Sequence, residues 1–137
     1  VEVFFAHSKS VTVETLDMQA AALRKWPWHE MGVEGTDVNV TMGRDSYMDF
    51  VKDKGLRGSP SNVVYPAWCK FAGESYDVYV TAETILGKAT ADILRAALAR
   101  GVLVFAWLAD SSVARVTEIR DRKTDEWKSG WEAVTAS

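Results

Sequence analysis

Apolar and polar positions along this chain follow two different periods, and the change from one to the other marks out its elements. Val1-Glu2-Val3-Phe4-Phe5-Ala6 is a nearly continuous apolar run, the pattern of a strand buried on both faces, as in a parallel sheet covered by helices. It breaks at His7-Ser8-Lys9-Ser10. Thr12 is placed to cap a helix, with Glu14 and Asp17 near its positive end and Leu16, Ala20 and Leu23 at spacings of four and three. Trp26-Pro27-Trp28 ends that helix, because proline blocks its continuation. Gly32 to Gly35 reads as a turn, and Val38-Asn39-Val40-Thr41-Met42 alternates with the period of two that a half-buried edge strand requires. Gly43-Arg44-Asp45-Ser46 closes the strand as a loop, Tyr47 to Lys54 predicts a short helix, and Gly55 to Pro60 another loop. Pro66 suits the first turn of a further short helix that Gly73 ends.

The clearest stretch runs from Tyr76 to Trp107. Tyr76 to Val80 is strand-like, while Gly87 to Arg100 is helical, with Ile93, Leu94, Ala97 and Leu98 on one apolar face and Gly101 as its C-terminal cap. Val102 to Trp107 follows as a second buried strand, so the three elements predict a right-handed parallel unit. Val113 to Ile119 predicts a fifth strand. Thr124 then caps a last helix whose Trp127, Trp131 and Val134 form a core-facing stripe. The expected fold is a single α/β domain over residues 1–137. Its form is three-layer and Rossmann- or flavodoxin-like, with a mainly parallel sheet of about five strands and helices on both faces.

Composition narrows the function classes. The formal net charge is -3 with both signs interspersed, so no basic stripe supplies the footprint that nucleic-acid binding needs. No run approaches the ~18 apolar residues of a membrane span, and the apolar opening lacks the basic flank of a secretory signal. The single cysteine, Cys69, excludes an intrachain disulfide, and with only His7 and His29 neither a metal site nor a cofactor is expected. The expectation is a cytoplasmic protein, with a homodimer left open.

Ligands of open parallel sheets gather beyond the carboxyl ends of the strands, and three stretches qualify. His7, Ser8, Lys9 and Ser10 follow the first strand and precede a helix start; a polar turn with a hydroxyl cap accounts for the same residues. Arg44 can pair with a phosphate or carboxylate, Tyr47 can stack on a ring, and Asp45 lies between them; a solvated turn is the simpler reading. Gly87, Thr90 and Asp92 open the central helix, where glycine permits close approach and Asp92 falls off the apolar face; favourable interaction with the helix dipole needs no ligand at all. Trp107 ends a neighbouring strand. No nucleotide-binding glycine loop or nucleophile elbow is present, and Cys69 between Trp68 and Lys70 reads as a buried structural thiol.

Gly87-Lys88-Ala89-Thr90-Ala91-Asp92-Ile93-Leu94-Arg95-Ala96-Ala97-Leu98-Ala99-Arg100-Gly101-Val102 resembles the signature of nucleoside 2-deoxyribosyltransferase-like proteins: glycine and threonine, an acidic residue, an alanine-rich helix, then glycine and an apolar residue. Val3-Phe4-Phe5-Ala6-His7-Ser8 is similar to their first strand and substrate loop. The resemblance implies a nucleoside or nucleotide ligand and cleavage or transfer at an N-glycosidic bond. It casts Asp92, where the family has a glutamate, as the nucleophile, with Asp45 or His7 assisting. Ser8, Lys9, Ser10, Arg44, Tyr47, Gly87, Thr90 and Trp107 are the expected substrate contacts. A noncatalytic nucleotide-sensing or protein-interaction module is the alternative. A third, TIR-like cleavage of NAD, rests on Glu83 or Asp92.

Overall fold

The computed structural model describes residues 1–35, 37–125 and 128–136. The chain runs β1 (Glu2–Ala6), α1 (Val13–Arg24), β2 (Asn39–Met42), α2 (Gly43–Asp53), α3 (Ser61–Ser75), β3 (Val78–Thr81), β4 (Ile85–Leu86), α4 (Lys88–Ala99), β5 (Leu103–Trp107), β6 (Val113–Asp125) and β7 (Lys128–Thr135).

A mainly parallel sheet of about five strands is not what forms. The strands make one seven-stranded mixed sheet in the order β2-β1-β3-β5-β6-β7-β4. Only β2, β1, β3 and β5 are parallel to one another. β6 joins β5 antiparallel through Val113, Ala114 and Arg115, then turns its other edge to β7, and β7 pairs antiparallel with β4. The β6–β7 ladder is the longest in the sheet. Helix cover is correspondingly uneven. α1 lies alone against one side of the parallel strands, α2, α3 and α4 lie against the other, and the β6–β7–β4 ribbon curls round α4.

The expected last helix is replaced by β7 and the far end of β6. Two residues of β6 oppose one of β7 between Val116 and Glu118, a bulge that inserts one extra position into the strand. It turns Val116 and Ile119 toward the core together, and a spacing of three imitates helical periodicity. Beyond it, Trp131 and Ala133 pack on the core while Glu132, opposite Arg120, faces out. Trp127 lies outside the described residues. α2 begins at Gly43 itself, with no intervening loop, and α3 is longer than expected, carrying Pro66 inside it.

Strand alternation sorts the parallel half into two cores. Val3, Phe5, Val78, Val80 and Phe105 face α1, where Leu16, Ala20 and Leu23 meet them, and Phe4, Ala6, Tyr79, Val104 and Ala106 face α3 and α4. The Thr12 hydroxyl accepts from Thr15 N–H at 3.2 Å and caps α1. α4 ends at Gly101, whose φ of 77° is costly for a residue with a Cβ. Its N–H donates to Leu98 O at 3.0 Å, and Val102 N–H donates to Ala97 O at 3.3 Å, closing the helix. α3 and α4 touch so closely that a Cβ on Gly73 would lie 2.6 Å from the Ala96 methyl.

Candidate functional site

The strand order reverses direction between β1 and β3, because β1 is followed by a crossover to β2 on one side and β3 leads to β5 on the other. Loops leaving the carboxyl ends of β1 and β3 diverge there and leave a crevice. A cavity of about 960 Å³ occupies this position. Phe4 and Ala6 form part of its wall, and His7, Ser8 and Lys9 come from the loop after β1. α2 supplies Arg44 and Tyr47, α3 supplies Tyr65 and Trp68, the turn after β3 supplies Glu83, and the start of α4 supplies Thr90 and Asp92.

One side of the cavity is aromatic. Tyr47 stacks on Tyr65 with ring centroids 5.0 Å apart at 22°, and Trp68 meets Tyr47 edge-on at 5.4 Å. Trp68 is fixed by its indole N–H, which donates to Ser46 Oγ at 3.1 Å; the same oxygen accepts from the Tyr76 hydroxyl at 2.8 Å. The Lys9 ammonium sits 4.3 Å from the centre of the Tyr65 ring, a cation–π contact that joins the loop after β1 to α3.

Two carboxylates in different surroundings also line the cavity. Asp92 Oδ2 accepts from Lys88 Nζ at 3.0 Å across one helical turn. Glu83 is half-buried, and its Oε1 accepts from Ser8 N–H at 3.1 Å. Its backbone is locked by the fully buried Thr81, whose Oγ1 accepts from Glu83 N–H and donates to Glu83 O, both at 3.1 Å. Thr84 O in turn accepts from Ala133 N–H at 2.8 Å, tying the turn to β7.

His7 is a brace and has no ring nitrogen to spare for proton transfer. Arg44 N–H donates to His7 Nε2 at 3.0 Å, so Nε2 is the unprotonated nitrogen, and Nδ1–H donates to Ser8 O at 2.9 Å. The neutral ring thereby pins the loop after β1 to the first turn of α2. Cys69 also lines the cavity, with its thiol 3.8 Å from Ala89 O. Burial, reinforced by the Asp92 charge and opposed by Lys88, pushes this thiol from 9.0 up to about 11. It is therefore a protonated wall group and a poor nucleophile at neutral pH.

His7, Ser8, Lys9, Arg44, Tyr47, Gly87, Thr90 and Asp92 are thus brought round one cavity. Three expected residues are not among its lining. Asp45 is exposed on the outer side of the first turn of α2. Ser10 is exposed, with its hydroxyl 3.0 Å from Ser8 Oγ. Trp107 follows strand alternation to the α1 side, edge-on to Trp26 at 5.1 Å, with the sheet between it and the cavity. The sequence reading omitted Tyr65 and Trp68 and gave Glu83 only a secondary place. The spacing Val64, Trp68 and Ala72 on α3 does carry a helical signal, which Pro66 obscures. Among the described residues, no group of three or more histidine, cysteine or acidic side chains is placed to hold a metal ion, and no helix is long and apolar enough to cross a membrane. Comparison of the chain with family models, with curated proteins and with solved structures finds no match.

Proposed function

We propose that the chain binds a nucleoside or nucleotide in this cavity and cleaves, or transfers at, its N-glycosidic bond, with Asp92 as the nucleophile. The observation that carries the reading is that the Tyr47–Tyr65–Trp68 wall and a carboxylate at the start of α4 line one cavity. A planar base suits the aromatic side, where stacking is strong and tolerant of base identity. Lys9, which lies over Tyr65, and Arg44, on the same helix as Tyr47, suit an anionic group on the ligand, and a cavity of this size falls within the range of small-molecule sites, about 300–1,000 Å³.

In the proposed reaction an Asp92 oxygen attacks the anomeric carbon, the bond to the base nitrogen breaks with its electron pair, and the base leaves with a proton from solvent. The glycosyl ester left on Asp92 is then resolved by an acceptor. The likeness of Gly87–Val102 to the nucleoside 2-deoxyribosyltransferase signature supports the assignment. The single buried thiol fits the reducing conditions of a cytoplasm.

Incubation with nucleosides, nucleotides and NAD, with free base followed by chromatography, tests the reading. Base release is expected from the wild type and a fall of about a thousandfold or more from Asp92→Ala. No base from any of these compounds removes the enzymatic reading. The Lys88 ion pair on Asp92 favours one alternative, a noncatalytic sensor that uses the same cavity. It is distinguished by a ligand-induced rise in melting temperature without turnover.

A further inference from the structure

Glu83 has features that the proposed nucleophile does not account for. It stands beyond the carboxyl end of β3, beside the crevice between β1 and β3, and shares the cavity with Asp92. Three separate parts of the chain hold it. Thr81 locks its backbone from below, Ser8 N–H holds Oε1 from the loop after β1, and β7 holds the adjoining Thr84 through Ala133. Oε2 has no hydrogen-bond partner among the described residues, and no ion pair there uses Glu83. Asp92, by contrast, has Lys88 on it. The backbone that carries this half-buried side chain is thus fixed at two points, one carboxylate oxygen is held by Ser8 N–H, and the other is left to accept a proton.

We propose that Glu83 is the general base that activates the acceptor for attack on the Asp92-bound glycosyl group; this rests on the nucleophile reading above. A water molecule in the cavity gives its proton to Glu83 Oε2 as its oxygen bonds to the anomeric carbon. The bond from that carbon to Asp92 breaks, and its electron pair returns to the aspartate carboxylate. Free sugar leaves, and Glu83 releases the proton to solvent. Ser8 N–H keeps the carboxylate aimed throughout, because it engages the oxygen that does not take the proton.

Wild type, Glu83→Gln and Asp92→Asn are compared with 2′-deoxyadenosine, adenosine, AMP and NAD, by free-base release and by the intact mass of acid-quenched protein. Glutamine preserves the Ser8 acceptor, so the variant is expected to melt within a few degrees of wild type. The expected result for Glu83→Gln is one rapid equivalent of base, then turnover reduced at least about a hundredfold. A glycosyl mass on the peptide containing Asp92 should accumulate alongside it. Sodium azide, which attacks without a base, should restore turnover and give a glycosyl azide. A merely structural role for Glu83 would produce neither the trapped ester nor the rescue.

Wild-type turnover with an unslowed Glu83→Gln, a slowed variant without trapped ester or rescue, or an adduct mapped to Glu83 itself overturns the proposal and leaves base cleavage standing. Absence of base release from the wild type overturns the nucleophile reading, and this role falls with it. Should Glu83→Gln fail to fold, Glu83→Ala, which also lacks the carboxylate, is read instead, with trapped ester and azide rescue again expected and their absence again decisive.

Discussion

β1, β3 and β5 are covered on both sides, whereas β6 and β7 press one side on α4 and turn Arg120 and Glu132 outward. In the first region alternation divides two cores of similar character, so each strand reads as a solid apolar run. In the second it divides core from solvent. The two regions also serve the cavity differently. The parallel strands place the loops that line it, and among the described residues the ribbon meets it at the two ends of β4, through Gly87 and the turn that carries Glu83, which β7 holds at Thr84. One region builds the crevice and the other clamps one of its edges.

Phe4→Ala tests the first half of that comparison and should have the largest effect. Phe4 is 1% exposed and packs against Trp68, Tyr76 and Tyr79, and truncating a buried phenylalanine costs about 3–5 kcal/mol. Chemical denaturation should show a loss of that order, a large share of the stability of an ordinary domain. Trp131→Ala tests the other half. Trp131 is only half-buried against the same core, so about 1–2 kcal/mol is expected. Its distinctive signature is local, because faster amide exchange at Ala133, whose N–H holds Thr84, should exceed any change in the parallel strands. Equal stability losses from the two truncations, or uniform exchange, would show that the ribbon is as much core as β1.

The smallest effect expected is a pH dependence confined to the helix-covered half. Burial raises the Cys69 thiol from 9.0 to about 11 and raises the Tyr76 and Tyr79 hydroxyls above their ordinary value. The folded protein therefore keeps these protons to higher pH than the unfolded chain. Their contribution to stability is whole below the unfolded values and is lost as pH rises through the folded ones. Between pH 9 and 11 the denaturation midpoint should fall, and it should fall less in Cys69→Ala. An identical slope in that variant would remove the thiol from the account.

Much of the helix-covered region was legible in the residues. The spacing of Leu16, Ala20 and Leu23, the cap at Thr12 and the Gly101 stop each have a local cause, and each element forms where that cause acts. The ribbon was not legible for a reason equally local. A bulge puts Val116 and Ile119 on one side, and Trp131 with Val134 imitates a helical stripe although the two face opposite ways in β7. The same split holds at the cavity. Ser8, Arg44 and Asp92 follow strand ends or open helices, positions visible in sequence. Tyr65 and Trp68 reach it from the middle of α3, and Trp107 is carried to the far side by one step of alternation. Such placements depend on packing between elements distant in sequence.

The pairing of β4 with β7 also orders events in time. Ile85 and Leu86 emerge well before their partners Glu132 and Trp131, so during synthesis the turn bearing Glu83 waits, unclamped, while α4, β5 and β6 are made. Local helices form in microseconds or less, whereas a long-range strand pair must first close a long loop. A nascent chain halted after β5 should therefore hold an apolar helix pair and an unfinished crevice, and the last strand to arrive is the one that completes it.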